Sequence, residues 1–212
     1  MENPASGSEY IAEICLKKGM TDVVISPGSR NAPLIQAFTK RKGFNCLSII
    51  DERSAAYFAL GMSKCTGKVV GLICTSGTAV LNYAPAIAEA YYQNVPLLVI
   101  TADRPAEHID IADNQTIRQN NIYRNYIKKS FRFPGDLSRP ESLRYAVRII
   151  NEAFDQCLIP GMGPVHVNVP LHEPLYKAEY IEENEKLIIH SSFAKKSLLD
   201  NEKRRLSDIW AT

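Results

Sequence analysis

The sequence predicts an α/β domain: a doubly wound, mostly parallel sheet of about six strands with helices on both faces. Two observations predict it. Apolar runs alternate with helical stretches about six times, at the spacing of βαβ units. The polar loops that follow the early strands are rich in Ser, Gly, Arg and Asp, as they are where such a sheet binds ligands. The 212 residues, 45% apolar and 23% charged, leave room for one such domain with a tail.

The elements follow in order. Residues 8–18 read as a helix, with Ile11, Ile14 and Cys15 on its apolar stripe and Gly19 at its C-terminal cap. Val23–Ile25 is a short buried strand. Ser26 to Pro33 is a loop, and Pro33 suits the first turn of the next helix. Cys46–Ile50 has the composition of a strand buried on both faces, and a helix from Arg53 to Lys64 follows it. Val69–Cys74 is the third strand, Ala79–Tyr92 one long helix, and Leu97–Ile100 the fourth strand. The polar stretch 108–123 reads as a loop with a short helix. Residues 127–133 read as an edge strand because Lys128, Lys129 and Arg132 punctuate it. Pro140–Gln156 is a helix. In 164–169 Val165, Val167 and Val169 alternate with His166 and Asn168, the pattern of a strand with one face fully buried. From Tyr176 the chain becomes charged and weakly periodic. Residues 176–212 therefore read as a linker beyond a domain of residues 1–175, as expected of an excised N-terminal domain.

Composition excludes several function classes. A net charge of +2 does not predict nucleic-acid binding. No apolar run approaches the ~18 residues of a membrane span, and the N-terminus has no signal-peptide pattern. The five cysteines are odd in number and form no C-x-x-C pair, and the four histidines show no H-E-x-x-H spacing. Buried free thiols in a reducing cytoplasm account for the cysteines better than disulfides or zinc do. No G-x-G-x-x-G or P-loop pattern occurs.

Four loops deliver polar groups to the ligand end of the sheet: Ser29 and Arg30, Asp51 to Arg53, Thr75 to Thr78, and Asp103 with Arg104. At the strand-to-helix junction of residues 48–57 two readings stand. Asp51 caps the helix while Glu52 lies at the positive end of its dipole. Alternatively, Glu52 sits in a poorly solvated crevice and exchanges a proton with a bound heterocycle. Arg30 and Arg104 are carboxylate or phosphate binders by geometry. Thr75-Ser76-Gly77-Thr78 is either a tight turn or a cradle of backbone N–H groups for an anion. Asn114 and Gln115 lie in a polar loop, where amides often bond only to the backbone.

Five motifs occur together, in order: Val24-Ile25-Ser26-Pro27-Gly28-Ser29-Arg30, Asp51-Glu52-Arg53-Ser54-Ala55-Ala56, Thr75-Ser76-Gly77-Thr78-Ala79, Thr101-Ala102-Asp103-Arg104-Pro105 and Asn114-Gln115. Over residues 8–170 this pattern resembles the amino-terminal pyrimidine-binding domain of the thiamin-diphosphate enzymes, in particular the synthase branch of menaquinone biosynthesis. The resemblance implies a transferase that decarboxylates 2-oxoglutarate and adds the resulting succinyl-semialdehyde carbanion to isochorismate, with thiamin diphosphate and Mg2+ as cofactors. It implies that Glu52 is catalytic, bonding the aminopyrimidine ring and favouring its imino tautomer. It places Thr75, Ser76, Gly77 and Asn114 with Glu52 at the cofactor, and Ser29, Arg30, Arg104 and Gln115 at the substrate carboxylates. It also implies a homodimer or homotetramer with the site between subunits. The family's Gly-Asp-Gly…Asn motif for Mg2+ and diphosphate is missing, since Gly135-Asp136-Leu137 fails the pattern. The chain alone is therefore expected to be inactive. Two alternatives stand beside this: another thiamin-dependent 2-oxoacid decarboxylase or acetohydroxyacid-type synthase, and a non-catalytic α/β module that binds an anion.

Overall fold

The computed structural model describes residues 4–175, so the expected linker of residues 176–212 lies outside the described residues. Six parallel strands form one sheet: β1 (Asp22–Ile25), β2 (Asn45–Ser48), β3 (Val70–Cys74), β4 (Leu97–Asp103), β5 (Lys129–Arg132) and β6 (Val165–Pro170), in the order β2-β1-β3-β4-β6-β5. The order reverses at β1 and the helices lie on both faces, so the expected doubly wound fold is present.

Each strand feeds two cores because successive side chains point to opposite faces. Val23, Ile25, Leu98, Ile100, Val165, Val167 and Val169 face one side. There they pack against α1 (Pro4–Lys17), α2 (Ala32–Lys40) and α6 (Pro140–Leu158). Val24, Leu72, Cys74, Leu97 and Val99 face the other, under α3 (Glu52–Thr66), α4 (Thr78–Asn82) and α5 (Ala84–Tyr92). All seven residues of the central strand β4 are buried. On the first face a buried ion cluster ties α1 to the end of α2. Arg41 bonds Glu9 at 2.7 Å and also bonds Glu13, which Lys17 meets at 3.1 Å.

Three local expectations need correction. The strand read as buried on both faces is the edge strand β2. It is partly exposed throughout, and Ile50 just beyond it is 82% exposed. The apolar run signalled packing from one side only, because β1 is its sole neighbour. The single helix expected over residues 79–92 is broken into α4 and α5 at Tyr83. Pro85 in the first turn of α5 has no N–H to continue a helix from α4. Tyr83 then points inward, fully buried, and its hydroxyl donates to the Ile73 carbonyl at 2.8 Å.

The third correction concerns β6, which is buried on both faces. Its polar face meets no helix. The loop after β4 covers it, bringing in Gln119 and the ring of Tyr123, which stands edge-on to His166. Burial is tolerable there because the polar groups bond one another. Thr101 Oγ1 donates to Asn168 Oδ1 at 2.9 Å and so accepts from His166 Nε2 at 2.8 Å. That leaves His166 Nδ1 to accept from Ser130 Oγ at 3.2 Å. Asn168 Nδ2 donates to Asp103 Oδ2 at 2.6 Å, and Asp103 Oδ1 accepts the Arg104 N–H at 2.8 Å.

His166 is therefore a neutral, fully enclosed imidazole, and burial pushes its pKa from 6.5 down to about 3. A histidine depressed on folding stabilises fully above its unfolded pKa, and that stability is lost as pH falls from 6.5 toward 3. Between pH 7 and pH 5 this one group removes about 2 kcal/mol. Denaturant unfolding at the two pH values checks this. His166→Gln, which keeps a hydrogen-bonding side chain, should lose about 2 kcal/mol less than the parent over that interval.

Candidate functional site

Parallel strands place all their C-terminal ends on one side, where the loops after β1, β2, β3 and β4 and the segment after β6 lie. The β1 loop is shaped by Asn31, which is fully buried. Its side chain accepts the Gly28 N–H at 2.9 Å and donates to the Ser26 carbonyl at 2.9 Å. This packs Gly28 onto Thr75 at the end of β3, where a Cβ on residue 28 would lie 2.5 Å from the Thr75 Cβ. Ser29 stays exposed at the tip. Arg30 turns inward and is 6% exposed. Its Nη1 donates to the Leu171 carbonyl at 3.0 Å and its Nη2 to Glu173 Oε1 at 3.1 Å. One side chain thus joins loops that β3 and β4 separate in the sheet.

Arg104 meets the same carboxylate from the β4 loop. Its Nη1 lies 4.0 Å from Glu173 Oε1 and 3.7 Å from Asp113 Oδ2, and its Nη2 donates to the Asn114 carbonyl at 3.1 Å. The buried Nε–H of Arg104 has no partner among the described residues. Burial, and then the charge of Arg104, hold the Arg30 guanidinium below its ordinary pKa, while Glu173 opposes them. Two guanidiniums therefore converge on one rim, with unspent donor capacity.

At the end of β2, Asp51 caps α3: its carboxylate accepts the Ser54 N–H at 2.7 Å. That bond, with the Ser54 hydroxyl, holds the Asp51 carboxyl below its usual range. Glu52 occupies the first turn of α3, half-buried, and its carboxylate has no hydrogen-bond partner among the described residues. The neighbouring thiol of Cys74, at the end of β3, is raised above its ordinary pKa chiefly by burial, with the Glu52 charge adding to the shift. The capping reading thus holds for Asp51. Among the described residues, the desolvated crevice expected around Glu52 is only half formed.

The β3 loop serves a different purpose from an anion cradle. The Gly77 N–H donates to Gln119 Oε1 at 2.8 Å, and Ser76 and Gln115 bond each other through Ser76 Oγ to the Gln115 carbonyl and Gln115 Nε2 to the Ser76 carbonyl. Gly77 has φ +83°, and a Cβ there would lie 2.8 Å from the Gln115 side chain. Only glycine allows this approach. The loop clamps residues 114–119 in place, so Gly77 has no N–H left for an anion. Thr75 Oγ1 is buried and without a partner among the described residues. Asn114 is exposed and enters the site through its backbone carbonyl.

The structure brings Arg30 together with Arg104, and Ser76 and Gly77 with Gln115, while Glu52 stands apart toward the edge of the sheet. Sequence reasoning missed Asn31, Gln119, Asn168 and Glu173. Gln119, Asn168 and Glu173 carry no local signal, since each acts through a partner distant in sequence, whereas Asn31 bonds within its own loop to Gly28 and Ser26. No three His, Cys, Asp or Glu side chains gather as a metal-binding set among the described residues. Two features fit a hydrogen-bonding heterocycle: the buried Thr75 hydroxyl, without a partner among the described residues, and the half-buried Glu52 carboxylate.

Comparisons with known proteins agree with the fold. The model of a family described as thiamine pyrophosphate enzyme, N-terminal TPP binding domain, matches residues 5–127. Three relatives bear the name 2-succinyl-5-enolpyruvyl-6-hydroxy-3-cyclohexene-1-carboxylate synthase. That from Desulfotalea psychrophila is 51% identical over 82% of this chain and 32% of its own length. That from Flavobacterium johnsoniae is 43% identical over 96% of the chain and 36% of its own, and that from Porphyromonas gingivalis 46% identical over 80% and 30%. The chain spans about a third of the length of these curated relatives. With a parallel α/β sheet and a matched span covering more than half of its residues, the chain belongs to the thiamine pyrophosphate enzymes, whose N-terminal TPP-binding domain it carries.

Proposed function

We propose that this chain is the pyrimidine-binding part of a 2-succinyl-5-enolpyruvyl-6-hydroxy-3-cyclohexene-1-carboxylate synthase, which decarboxylates 2-oxoglutarate and adds the product to isochorismate in menaquinone biosynthesis. The observation that carries the reading is the convergence of Arg30 and Arg104 on one carboxylate. Both substrates are dicarboxylates, and a monocarboxylate would not need two guanidiniums. Arg30 and Arg104, with the Ser29 hydroxyl and the second N–H of the Gln115 amide, hold the substrate carboxylates. Bound thiamin diphosphate supplies the nucleophilic carbon and the electron sink. Glu52 holds a proton at a nitrogen of the pyrimidine ring and moves it there, which requires a carboxyl group taken out of water. Thr75 offers its unspent hydroxyl to the same ring. Ser76, Gly77 and Asn114 shape that wall through backbone contacts.

The half-buried state of Glu52 supports a site completed by a second subunit, in a homodimer or homotetramer. Exposed apolar groups near it support the same assembly: Ile50, Tyr57 and Phe58 around α3, and Leu81 and Tyr92 on α4 and α5. Mg2+ and the diphosphate are held by parts of the enzyme outside this chain. All five cysteines are free thiols, in keeping with a cytoplasmic enzyme. No helix among the described residues is long and apolar enough to cross a membrane.

Three outcomes test the reading. Residues 1–212 with Mg2+, cofactor and both substrates should show no carboligation, and product formation by the isolated chain would refute the division of the site. In the full-length enzyme, Arg30→Ala or Arg104→Ala should raise the Michaelis constant for a dicarboxylate roughly 10- to 150-fold, the scale of a lost charged hydrogen bond of ~1.5–3 kcal/mol. Cofactor affinity, measured by titration, should change little. Glu52→Gln should lower turnover by ~10²-fold or more. Its melting temperature should stay level or rise slightly, because an unpaired, partly desolvated carboxylate is lost. Asp51→Asn is the control, since asparagine caps a helix as well. A Glu52→Gln enzyme with more than about half the parent activity would reduce this residue to a helix-dipole partner.

A further inference from the structure

The arginine rim already contains a carboxylate, and its setting differs from that of a structural ion-pair partner. Glu173 lies on the segment that continues β6, whose first residue is tied to β4 by the Leu171 N–H to Asp103 carbonyl bond at 3.1 Å. Its side chain is 70% exposed, against 7% for Arg30 and 20% for Arg104. It therefore reaches the guanidiniums from the solvent side, by the route a dissolved ligand would take. Its grip is slight: one hydrogen bond of 3.1 Å to Arg30 and a 4.0 Å approach to Arg104, with no two-pronged pairing to either.

The arginines do not need Glu173 to hold their places. Arg30 is buried and anchored by the Leu171 carbonyl, and Arg104 by the Asn114 carbonyl. They also have more to offer than Glu173 takes, since the Arg104 Nε–H is buried and unspent. The other acid at the rim, Asp113, is already committed to His108 Nδ1 at 2.9 Å. With Glu173 and Asp113 in place the two guanidinium charges are balanced. A substrate carboxylate that entered without displacing one of these acids would make the rim net negative, and only Glu173 is held loosely enough to leave.

We infer that Glu173 is a resident counter-ion, occupying the carboxylate seat of the Arg30–Arg104 pair until a substrate carboxylate displaces it. It sets substrate affinity and discriminates against weakly charged ligands, which cannot win the exchange. This role rests on the assignment of the arginines to substrate carboxylates made above.

The test measures Michaelis constants for 2-oxoglutarate and isochorismate in the full-length synthase carrying Glu173→Gln, Glu173→Ala or Arg30→Ala, at low and high salt. Arg30→Ala identifies the substrate that uses the seat, through a raised constant. For that substrate both Glu173 variants should lower the constant roughly two- to fivefold, the scale of an exposed ion pair. They should also steepen its salt dependence, because an unscreened guanidinium pair attracts the dianion more strongly. If Arg30→Ala raises the constant but the Glu173 variants leave it level or raise it, Glu173 positions the arginines and the counter-ion role is overturned. If Arg30→Ala changes neither constant, the carboxylate assignment itself fails and the counter-ion role fails with it.

Discussion

Five side chains in the middle of the molecule pass hydrogen bonds in one direction, from Ser130 through His166, Thr101 and Asn168 to the Asp103 carboxylate. Both halves of the ligand rim depend on that relay. Asn168 also accepts from Gln119, whose other end holds the Gly77 N–H, so the β3 loop is referenced to β6 through a single amide. Asp103 receives the backbone N–H of Arg104 and so fixes where that guanidinium starts. Burial raises the Asp103 carboxyl, while the two donors facing it pull it down. A buried network of this kind stabilises a fold only when every member is satisfied, and here each donor finds its acceptor. An apolar β6 would have packed equally well and left the β4 loop without a register.

The layered architecture was legible because its signals are periodic. Alternating valines in β6 and apolar runs in β3 and β4 specify faces without reference to anything distant. The failures share one cause. Whether Cys46–Ile50 lies in the centre or at the edge depends on which strand sits beside it, which composition does not carry. Whether His166 and Asn168 meet water depends on a loop some fifty residues earlier in the chain folding over them. The break between α4 and α5 was the exception, because Pro85 is a local signal that the long apolar pattern concealed.

At the site the same division holds. Residue types with strong chemistry, Arg30, Arg104 and Glu52, stood out in loops that the fold predicts to converge. The residues that aim them did not. Gln119 and Glu173 are ordinary polar residues in sequence and acquire meaning only through partners 42 and 143 positions away, while Asn31 shapes its own loop through Gly28 and Ser26. The site is also uneven. Its arginine side, over the middle of the sheet, is packed and partnered within this chain. Its Glu52 side, at the edge strand, is half-buried among the described residues.

The contact between Gly28 and Thr75 links two positions that otherwise look independent. No room for a Cβ exists at residue 28 while residue 75 carries a Cβ of its own. Serine or alanine at residue 75 would leave that clash; only glycine there would make room, and it would delete a buried hydroxyl that has no partner among the described residues. Among descendants of this chain the two positions are thus locked as a pair: drift at the glycine is permitted only through an intermediate that has already surrendered the hydroxyl.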